Sequence, residues 1–395
     1  MKYACIVADG MADEPIESLG GRTPLEVANT PNMDALAQAG RVGQVRLIPE
    51  DMQPGSDVAN LSFLGYDPAK SYTGRAPIEA AALGLSLAPG DLAVRCNLVT
   101  IVDGVMVDYS AGHISTREAT ALIDFLNEKL GTAQVSFHPG VSYRHVVVLR
   151  GAGKLDLRTT PPHDIIGRKV EKFLPKGSDA GVLGDLMAKA EILVGTHDIN
   201  VVRRDLGENP ATGIWLWGQG EALQLESFHK RFGLRGALIS AVDLLKGLAV
   251  SAGLDVILVP GATGYLDTDY AAKGKYASLA LTDYDVVFVH VEAPDEASHE
   301  GNVDAKIAAI ERIDADVVGP VWETLKAAGE YRILVAPDHA TPIRLKTHAA
   351  TPVPFALCGT GIESVVKAPL SEKAGQEADL KIDVGHELMR YFLGR

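Results

Sequence analysis

The chain is poor in cysteine. Three in 395 residues, Cys5, Cys96 and Cys358, lie far apart, are odd in number and have no CxxC partner. That argues against a disulfide frame or a zinc knuckle, and points to a reducing compartment in which the thiols serve as small buried hydrophobes. Positive charge is scarce as well: 37 Lys and Arg stand against 51 Asp and Glu, a formal net charge of −14. Nucleic acid and anionic membrane surfaces are therefore not expected partners. No long apolar run occurs, because the most hydrophobic stretch, 240–261, is broken by Asp243, Lys246 and Asp255, and no spanning segment is expected. The first residues enter a strand at once, without a basic-then-apolar leader, which gives the expectation of a cytoplasmic protein. Familiar signatures are missing too: there is no GxxxxGK[ST], no GxGxxG after a strand, no GxSxG elbow and no HExxH. An acidic chain that binds an anion must gather positive charge locally, and bound metals would do so.

What is present is a pattern of strand ends. In Tyr331 to His339, YRILVAPDH, a run of β-formers stops at a proline and delivers adjacent Asp338 and His339, with His348 nine residues further on. KYACIVADG ends on Asp9 in the same way, and YDVVFVHVEAPDEASH delivers Asp295 and, four residues later, His299. The crevice beyond the carboxyl ends of an open α/β sheet is where such folds place ligands, since loops there stand on a rigid frame.

At this length two domains are expected. The parallel α/β pattern runs through residues 1–90, is interrupted by a smaller α+β module at 91–229, and resumes over 230–395. In the outer parts the expectation is a strand over Lys2 to Ala8, a helix through TPLEVANTPNMDALAQAG and a short helix over Val58 to Leu64. There follow a helix from Ala237 to Ala252, strands at Asp255 to Val259, Val286 to Val291 and Arg332 to Val335, one long helix from Val303 to Ala328, and a last helix near Gly385 to Phe392. The middle module should hold strands at Ala93 to Val102 and Tyr143 to Leu149 and a helix at Thr116 to Leu130; it concentrates Arg95, His113, Arg144, His145, Arg168, Arg203 and Arg204. Pro54-Gly55 turns the chain into Ser56, which would stand at a helix N-terminus, where free amides favour a phosphate; the plainer reading is that its hydroxyl only caps the helix.

Two divalent ions need several carboxylates and imidazoles with open positions left over. Asp9, Asp295, His299, Asp338, His339 and His348 supply them, and Ser56 supplies a hydroxyl that such ions would activate for displacement at phosphorus. His290, inside an apolar strand, reads as a satisfied core histidine, and His138, His197 and His229 as surface or loop residues.

VADGMAD, NTPNMDALAQAG, PGSDVANLS, TGRAPIEAAALG, GKYASLAL, EAPDEASHEGN, DHATP and TH, in this order across essentially the whole chain, resemble the archaeal-type, cofactor-independent phosphoglycerate mutases of the alkaline phosphatase superfamily. The resemblance implies an alkaline-phosphatase-like α/β domain, with a mostly parallel sheet and helices on both faces, plus an inserted substrate-binding domain that closes as a lid. It implies interconversion of 3-phosphoglycerate and 2-phosphoglycerate in glycolysis and gluconeogenesis through a phosphoserine on Ser56. One ion, usually manganese, would be surrounded by Asp9, Ser56, Asp338 and His339, and a second held by Asp295, His299 and His348; magnesium, cobalt and zinc are the alternatives. Lys275 in GKYA matches the family's lysine near the serine, and His113 in DYSAGHIS matches a substrate-contacting histidine. Arg144, Arg203 and Arg204 would clamp phosphate or carboxylate, and Asp164 would lie near the substrate. The substrate is a small phosphoglycerate, no nucleic acid or membrane takes part, and self-association is left open. The competing readings are a metal-dependent phosphatase or a phosphomutase of another alcohol such as a pentose, and, outside enzymes, a metal-stabilised binding protein.

Overall fold

The structure, a computed structural model, describes residues 1–365 and 367–395. Among these, the strands in chain order are β1 (Lys2–Ala8), β2 (Arg41–Val45), β3 (Leu92–Val102), β4 (Val105–Asp108), β5 (Val135–His138), β6 (Arg144–Leu149), β7 (Gly213–Gly220), β8 (Gly236–Ile239), β9 (Asp255–Ile257), β10 (Val286–Val291), β11 (Tyr331–Ala336), β12 (Val353–Gly359) and β13 (Lys381–Ile382). They divide between two compact units, Met1–Tyr72 with Leu225–Arg395, and Thr73–Gln224.

The first unit is built on an eight-stranded sheet of order β13-β2-β12-β11-β1-β10-β8-β9, parallel throughout except for β12, which runs against both neighbours. β1 lies at its centre. Ala4, Ile6 and Ala8 face one core, shared with the helices Pro31–Ala39, Val303–Ile313 and Gly319–Ala328. Tyr3 and Cys5, on the opposite face, are also buried; there Tyr3 packs edge-on to Phe392, and Phe288 of β10 packs edge-on to Phe228. A strand covered on both faces has no polar side to show water, so KYACIVA reads as a continuous apolar run rather than an alternating one. No helix among the described residues is long and apolar enough to cross a membrane.

The second unit is an antiparallel sheet in which the long strand β3 pairs with β6, β7 and β4, and β5 pairs with β6. The helices Thr116–Leu130 and Ala180–Gly195 share its main core with β3 and β7. The first of these opens on a capping box, with Ser115 Oγ accepting from Glu118 N–H and the Glu118 carboxylate accepting from Ser115 N–H. The unit begins before residue 91, because the helix Arg75–Ala82 belongs to it: Ala76 and Ala80 pack with Ala93 of β3 and with Val146 and Val148 of β6.

Three elements differ from the sequence expectation. Residues 237–252 do not form one helix: Gly236–Ile239 is the buried strand β8, Ser240 turns the chain, and only Asp243–Ser251 is helical. A short apolar run fits either state, and pairing with β10 on one side and β9 on the other decides it. The helix from Val303 to Ala328 is interrupted by a π-helical turn over Asp314–Val318. Pro320 has no N–H to give the carbonyl of Asp316, and Gly274 presses against that carbonyl so closely that a Cβ on it would lie 2.0 Å away. The wider turn frees the buried Asp314 carboxylate, which accepts from the N–H groups of Asn32 and Met33 at the start of Pro31–Ala39. Finally, the helix carrying Ser56 begins at Ser56 itself with Gly55 as N-cap, and the serine side chain makes no capping bond.

Candidate metal centre

β11, β1 and β10 are adjacent and parallel, with Val7 level with both Ala336 and His290, so their carboxyl ends open at one height. Asp9 follows β1, Asp338 and His339 follow β11, and Asp295 sits in the first turn of the helix Ala293–Glu300 just after β10. His299 is one turn beyond Asp295 on the same face, as an i,i+4 pair must be. Gly10 makes the meeting possible: its φ of +62° is unfavourable for other residues, and a Cβ there would lie 2.6 Å from both Asp295 Oδ1 and Thr341 Oγ1.

Two sets of ligand atoms result. Asp295, His299 and His348 form one: Asp295 Oδ2 is 3.0 Å from His299 Nε2 and 3.6 Å from His348 Nε2, and the two Nε2 atoms are 3.2 Å apart. Asp9, Asp338 and His339 form the other: His339 Nε2 is 3.3 Å from Asp9 Oδ1, 3.5 Å from Asp338 Oδ2 and 3.2 Å from Ser56 Oγ. The His339 and His348 rings, 4.3 Å apart, link the sets. The structure thus brings together Asp9, Ser56, Asp295, His299, Asp338, His339 and His348.

Hydrogen bonds around these sets aim the imidazoles. Thr341 Oγ1 donates to the Asp295 carboxylate, which can only accept, so the same oxygen accepts from His339 Nδ1–H at 3.1 Å. His339 Nε2 is therefore left with a bare lone pair facing two carboxylates and a hydroxyl. His299 Nδ1–H donates to the carbonyl of Lys346 at 2.9 Å, which fixes that ring with Nε2 toward Asp295. Asp338 is held by the N–H groups of Gly10 and His339 on one oxygen and by Asn60 Nδ2 on the other, and Asn60 also donates to the carbonyl of Ser56.

The electrostatics ask for cations. Burial raises the Asp9 carboxyl well above its ordinary range, and Asp338, Glu292 and Asp295 push it further the same way; its Oδ1 is buried without a hydrogen bond. Burial likewise raises Glu292. Burial opposes ionisation of Asp295, but hydrogen bonds from His299 and His348 outweigh it and hold this carboxyl well below its usual value. The bond to Asp295 lifts His299 to about 9, whereas burial lowers His339. Several carboxylates, imidazole lone pairs and one hydroxyl in a low-dielectric pocket suit hard or borderline divalent cations, so the residues present fit two such ions.

Lys275 does not reach this site. It is exposed on the helix Tyr270–Ala280, whereas Lys273, two residues earlier and so about 200° around the helix, is buried and donates to the carbonyl of His290 at 3.1 Å. Burial lowers the Lys273 ammonium to about 8, and nearby Glu292 partly offsets this. His290 is satisfied, as expected of a core histidine, but its partners are Asp9 and Ser240. No motif singled out Lys273, His290, Glu292 or Thr341. The only signals were the first lysine in AAKGKY and the threonine of DHATP.

In the second unit the expected substrate residues part company. His113 is exposed at φ +48°, beside a cavity of about 420 Å³ lined in part by Ser115, Glu118, Arg203 and Asn209. Arg203 is not free to clamp anything: it is buried, paired with Glu118 at 3.1 Å and Glu208 at 2.9 Å, and donates to the carbonyls of Ala111 and Asn209. Arg204 is exposed and turns back to the carbonyl of Gly195, and Asp164 is exposed with His163 3.7 Å away. Arg144 is exposed over the Tyr143 ring. It belongs to a cationic group that the sequence reading saw only in part. Arg95 lies 4.1 Å over Trp217 and bonds Glu79, Arg75 reaches the same carboxylate at 3.6 Å, and His163 packs edge-on to Trp217. Two guanidinium groups, those of Arg75 and Arg95, share the Glu79 carboxylate here. Burial lowers the Arg95 pKa; Glu79 opposes the shift, and Arg75 and Arg144 add to it.

Fold and site together define a class: α/β proteins with carboxylate and imidazole groups that could hold divalent cations beside a serine hydroxyl. Comparison with known proteins is more specific. The family model described as 2,3-bisphosphoglycerate-independent phosphoglycerate mutase matches residues 37–200. A Geobacter sulfurreducens protein named as a probable 2,3-bisphosphoglycerate-independent phosphoglycerate mutase is 50% identical over 400 residues, covering 100% of both chains, and a Methanosarcina mazei protein named as that mutase is 52% identical over 361 residues, covering 91% of each. Among solved structures, a Pyrococcus horikoshii protein matches with a TM-score of 0.85 at 32% identity, covering 100% of this chain and 96% of that one. A cofactor-independent phosphoglycerate mutase from Thermoplasma acidophilum matches at 0.71 and 28% identity, covering 100% and 99%. The chain belongs to the 2,3-bisphosphoglycerate-independent phosphoglycerate mutase family, whose members are isomerases.

Proposed function

We propose that the protein interconverts 3-phosphoglycerate and 2-phosphoglycerate by carrying the phosphoryl group on Ser56, a step of glycolysis and gluconeogenesis. The observation that carries this reading is the meeting of Ser56 Oγ, Asp9 Oδ1 and Asp338 Oδ2 around His339 Nε2, all within 3.2 to 3.5 Å of that nitrogen. Asp9, Asp338, His339 and Ser56 would hold one divalent ion and Asp295, His299 and His348 the other, with manganese the first choice for a mixed oxygen and imidazole set. Bound there, the ions would lower the pKa of the serine hydroxyl and stabilise charge on the phosphoryl oxygens.

Ser56 is the first residue of its helix, so its oxygen stands at the positive end of the helix dipole. Ser56 Oγ attacks phosphorus, the bond from phosphorus to the glycerate oxygen breaks, and that oxygen gains the proton that the serine loses. The neighbouring glycerate hydroxyl then attacks the phosphoserine, and Ser56 leaves with a proton restored. The diol must stay bound between these displacements, or water would take the phosphoryl group. Arg75 and Arg95, which share Glu79, and Arg144, which acts on Arg95, offer the guanidinium groups that a glycerate carboxylate needs and a pentose does not.

The test is an assay of the purified protein with manganese and 3-phosphoglycerate, coupled to enolase, with free phosphate followed in parallel. Enolase-consumable product with little phosphate release is expected. Rapid phosphate release without isomer would contradict the mutase reading in favour of a phosphatase.

A further inference from the structure

The ion-holding role of Asp9 leaves a question that His339 does not answer: which of its two oxygens faces the cation. His290, on the neighbouring strand β10, places Nε2 2.9 Å from Asp9 Oδ2, while Asp9 Oδ1 is buried with no hydrogen bond. The other ring nitrogen, Nδ1, lies 3.3 Å from Ser240 Oγ, and Ser240 Oγ accepts the N–H of Val242 at 3.1 Å. With Val242 on its lone pair, Ser240 turns its proton to Nδ1, and the ring proton is left on Nε2, facing Asp9. The backbone is held as well, since Lys273 donates to the carbonyl of His290 and Asp9 N–H donates to that of Val291.

We infer that Ser240 and His290 form a positioning relay that occupies Asp9 Oδ2 and reserves Asp9 Oδ1 as the single oxygen offered to a divalent cation; this rests on the two-ion reading above. Asp9, His290 and Glu292 also lie close enough together to resemble a third ion site. A ring whose Nε2 carries a proton has no lone pair to give there, so the relay makes His290 a donor to a ligand rather than a ligand. Groups that orient a metal-binding carboxylate support metal affinity, because they fix a geometry that the free side chain would otherwise have to find.

Manganese titration followed by electron paramagnetic resonance, which resolves free from bound ion, tests this on the wild type and on His290→Leu, His290→Gln and Ser240→Ala. In His290→Leu, one of two sites should weaken on the order of 10–100-fold while the other is unchanged. His290→Gln, which keeps a donor near the Nε2 position, should recover most of the loss, and Ser240→Ala should show a smaller loss of the same sign. In kinetics the manganese concentration for half-maximal rate should rise, with kcat at saturating manganese largely kept. Wild-type affinity at both sites in His290→Leu overturns the inference. So does equal weakening of both sites with a lower melting temperature of the metal-free protein, which marks a merely structural residue. Should His290→Leu fail to fold, Ser240→Ala decides, and unchanged affinity at both sites overturns the relay. A wild-type protein that takes up fewer than two ions overturns the two-ion reading itself, a result visible before any variant is made.

Discussion

At the scale of single residues, the candidate site depends on side chains outside the two sets of carboxylates and imidazoles. Thr341 donates to Asp295 and accepts from His339, so one hydroxyl orients a candidate ligand in each set. Thr341→Val keeps the shape and removes the hydroxyl, stranding the His339 N–H in a buried place. Manganese affinity should fall on the order of 10–100-fold, and folding stability by about 1–3 kcal/mol; titration and denaturation measure both, and unchanged manganese binding would contradict the assignment. His145, in the second unit, is buried with Nδ1 accepting from Gly140 N–H and Nε2 without a partner. Burial lowers it to about 3 from 6.5. The unfolded chain therefore takes up the proton first as pH falls, and the stability that neutral His145 contributes is full above pH 6.5 and lost progressively toward pH 3. His145→Asn, which keeps an acceptor and cannot be protonated, should lose less stability on acidification, the difference from wild type growing by up to about 1.4 kcal/mol per pH unit; parallel stability curves for the two proteins would refute this. That Asp9, Asp295, His299, Asp338, His339 and His348 would meet was legible in the sequence because each ends a strand or lies at a fixed step from one that does. Lys273 was not: Lys275 is the same residue type two positions away, and only helix phase separates the buried lysine from the exposed one.

At the scale of elements, loops from distant parts of the chain are tied together beneath the site. Lys306, from the helix Val303–Ile313, is buried and reaches Asp13 Oδ2 at 2.7 Å and the carbonyls of Ala12 and Thr341, and Asp13 in turn accepts from Ile343 N–H. This clamp joins the loop after β1, which carries Asp9 and Gly10, to the loop after β11, which carries Asp338, His339 and Thr341. Lys306→Met leaves the Asp13 charge buried and unpaired, and should cost roughly 3–5 kcal/mol of stability, with part recovered by adding Asp13→Asn. A loss below about 1 kcal/mol in chemical denaturation would show that the pair does not hold the loops. The strands that lead into Asp9, Asp295 and Asp338 could be read from their apolar runs and the residues that stop them. The strand β8 could not, since four apolar residues ahead of a helical pattern look like the first turn of that helix, and only pairing within the sheet tells them apart. The π-helical turn was hidden for a related reason: it arises where Pro320 meets Gly274 from another helix, a contact that local periodicity does not carry.

At the scale of the whole molecule, a chain with a net charge of −14 carries local clusters of opposite character in its two units. The first buries carboxylates and imidazoles at the carboxyl ends of three parallel strands, and the second sets Arg75 and Arg95 on one glutamate, with Arg144 close enough to act on Arg95. The change in pattern along the chain marked an inserted module at 91–229, and the compact units are Met1–Tyr72 with Leu225–Arg395, and Thr73–Gln224. Which arginines are free that pattern did not mark, because Arg203 and Arg144 look alike until Glu118 and Glu208 are seen to consume the first. The central claim is that Ser56 carries the phosphoryl group. The most direct measurement is mass spectrometry of peptides from enzyme quenched in acid during turnover with manganese and 3-phosphoglycerate. A phosphoryl group on Ser56, absent without manganese and absent from a Ser56→Ala protein that no longer turns over, is the expected result; full mutase activity in Ser56→Ala, or a phosphoryl group trapped on another residue, would contradict the account.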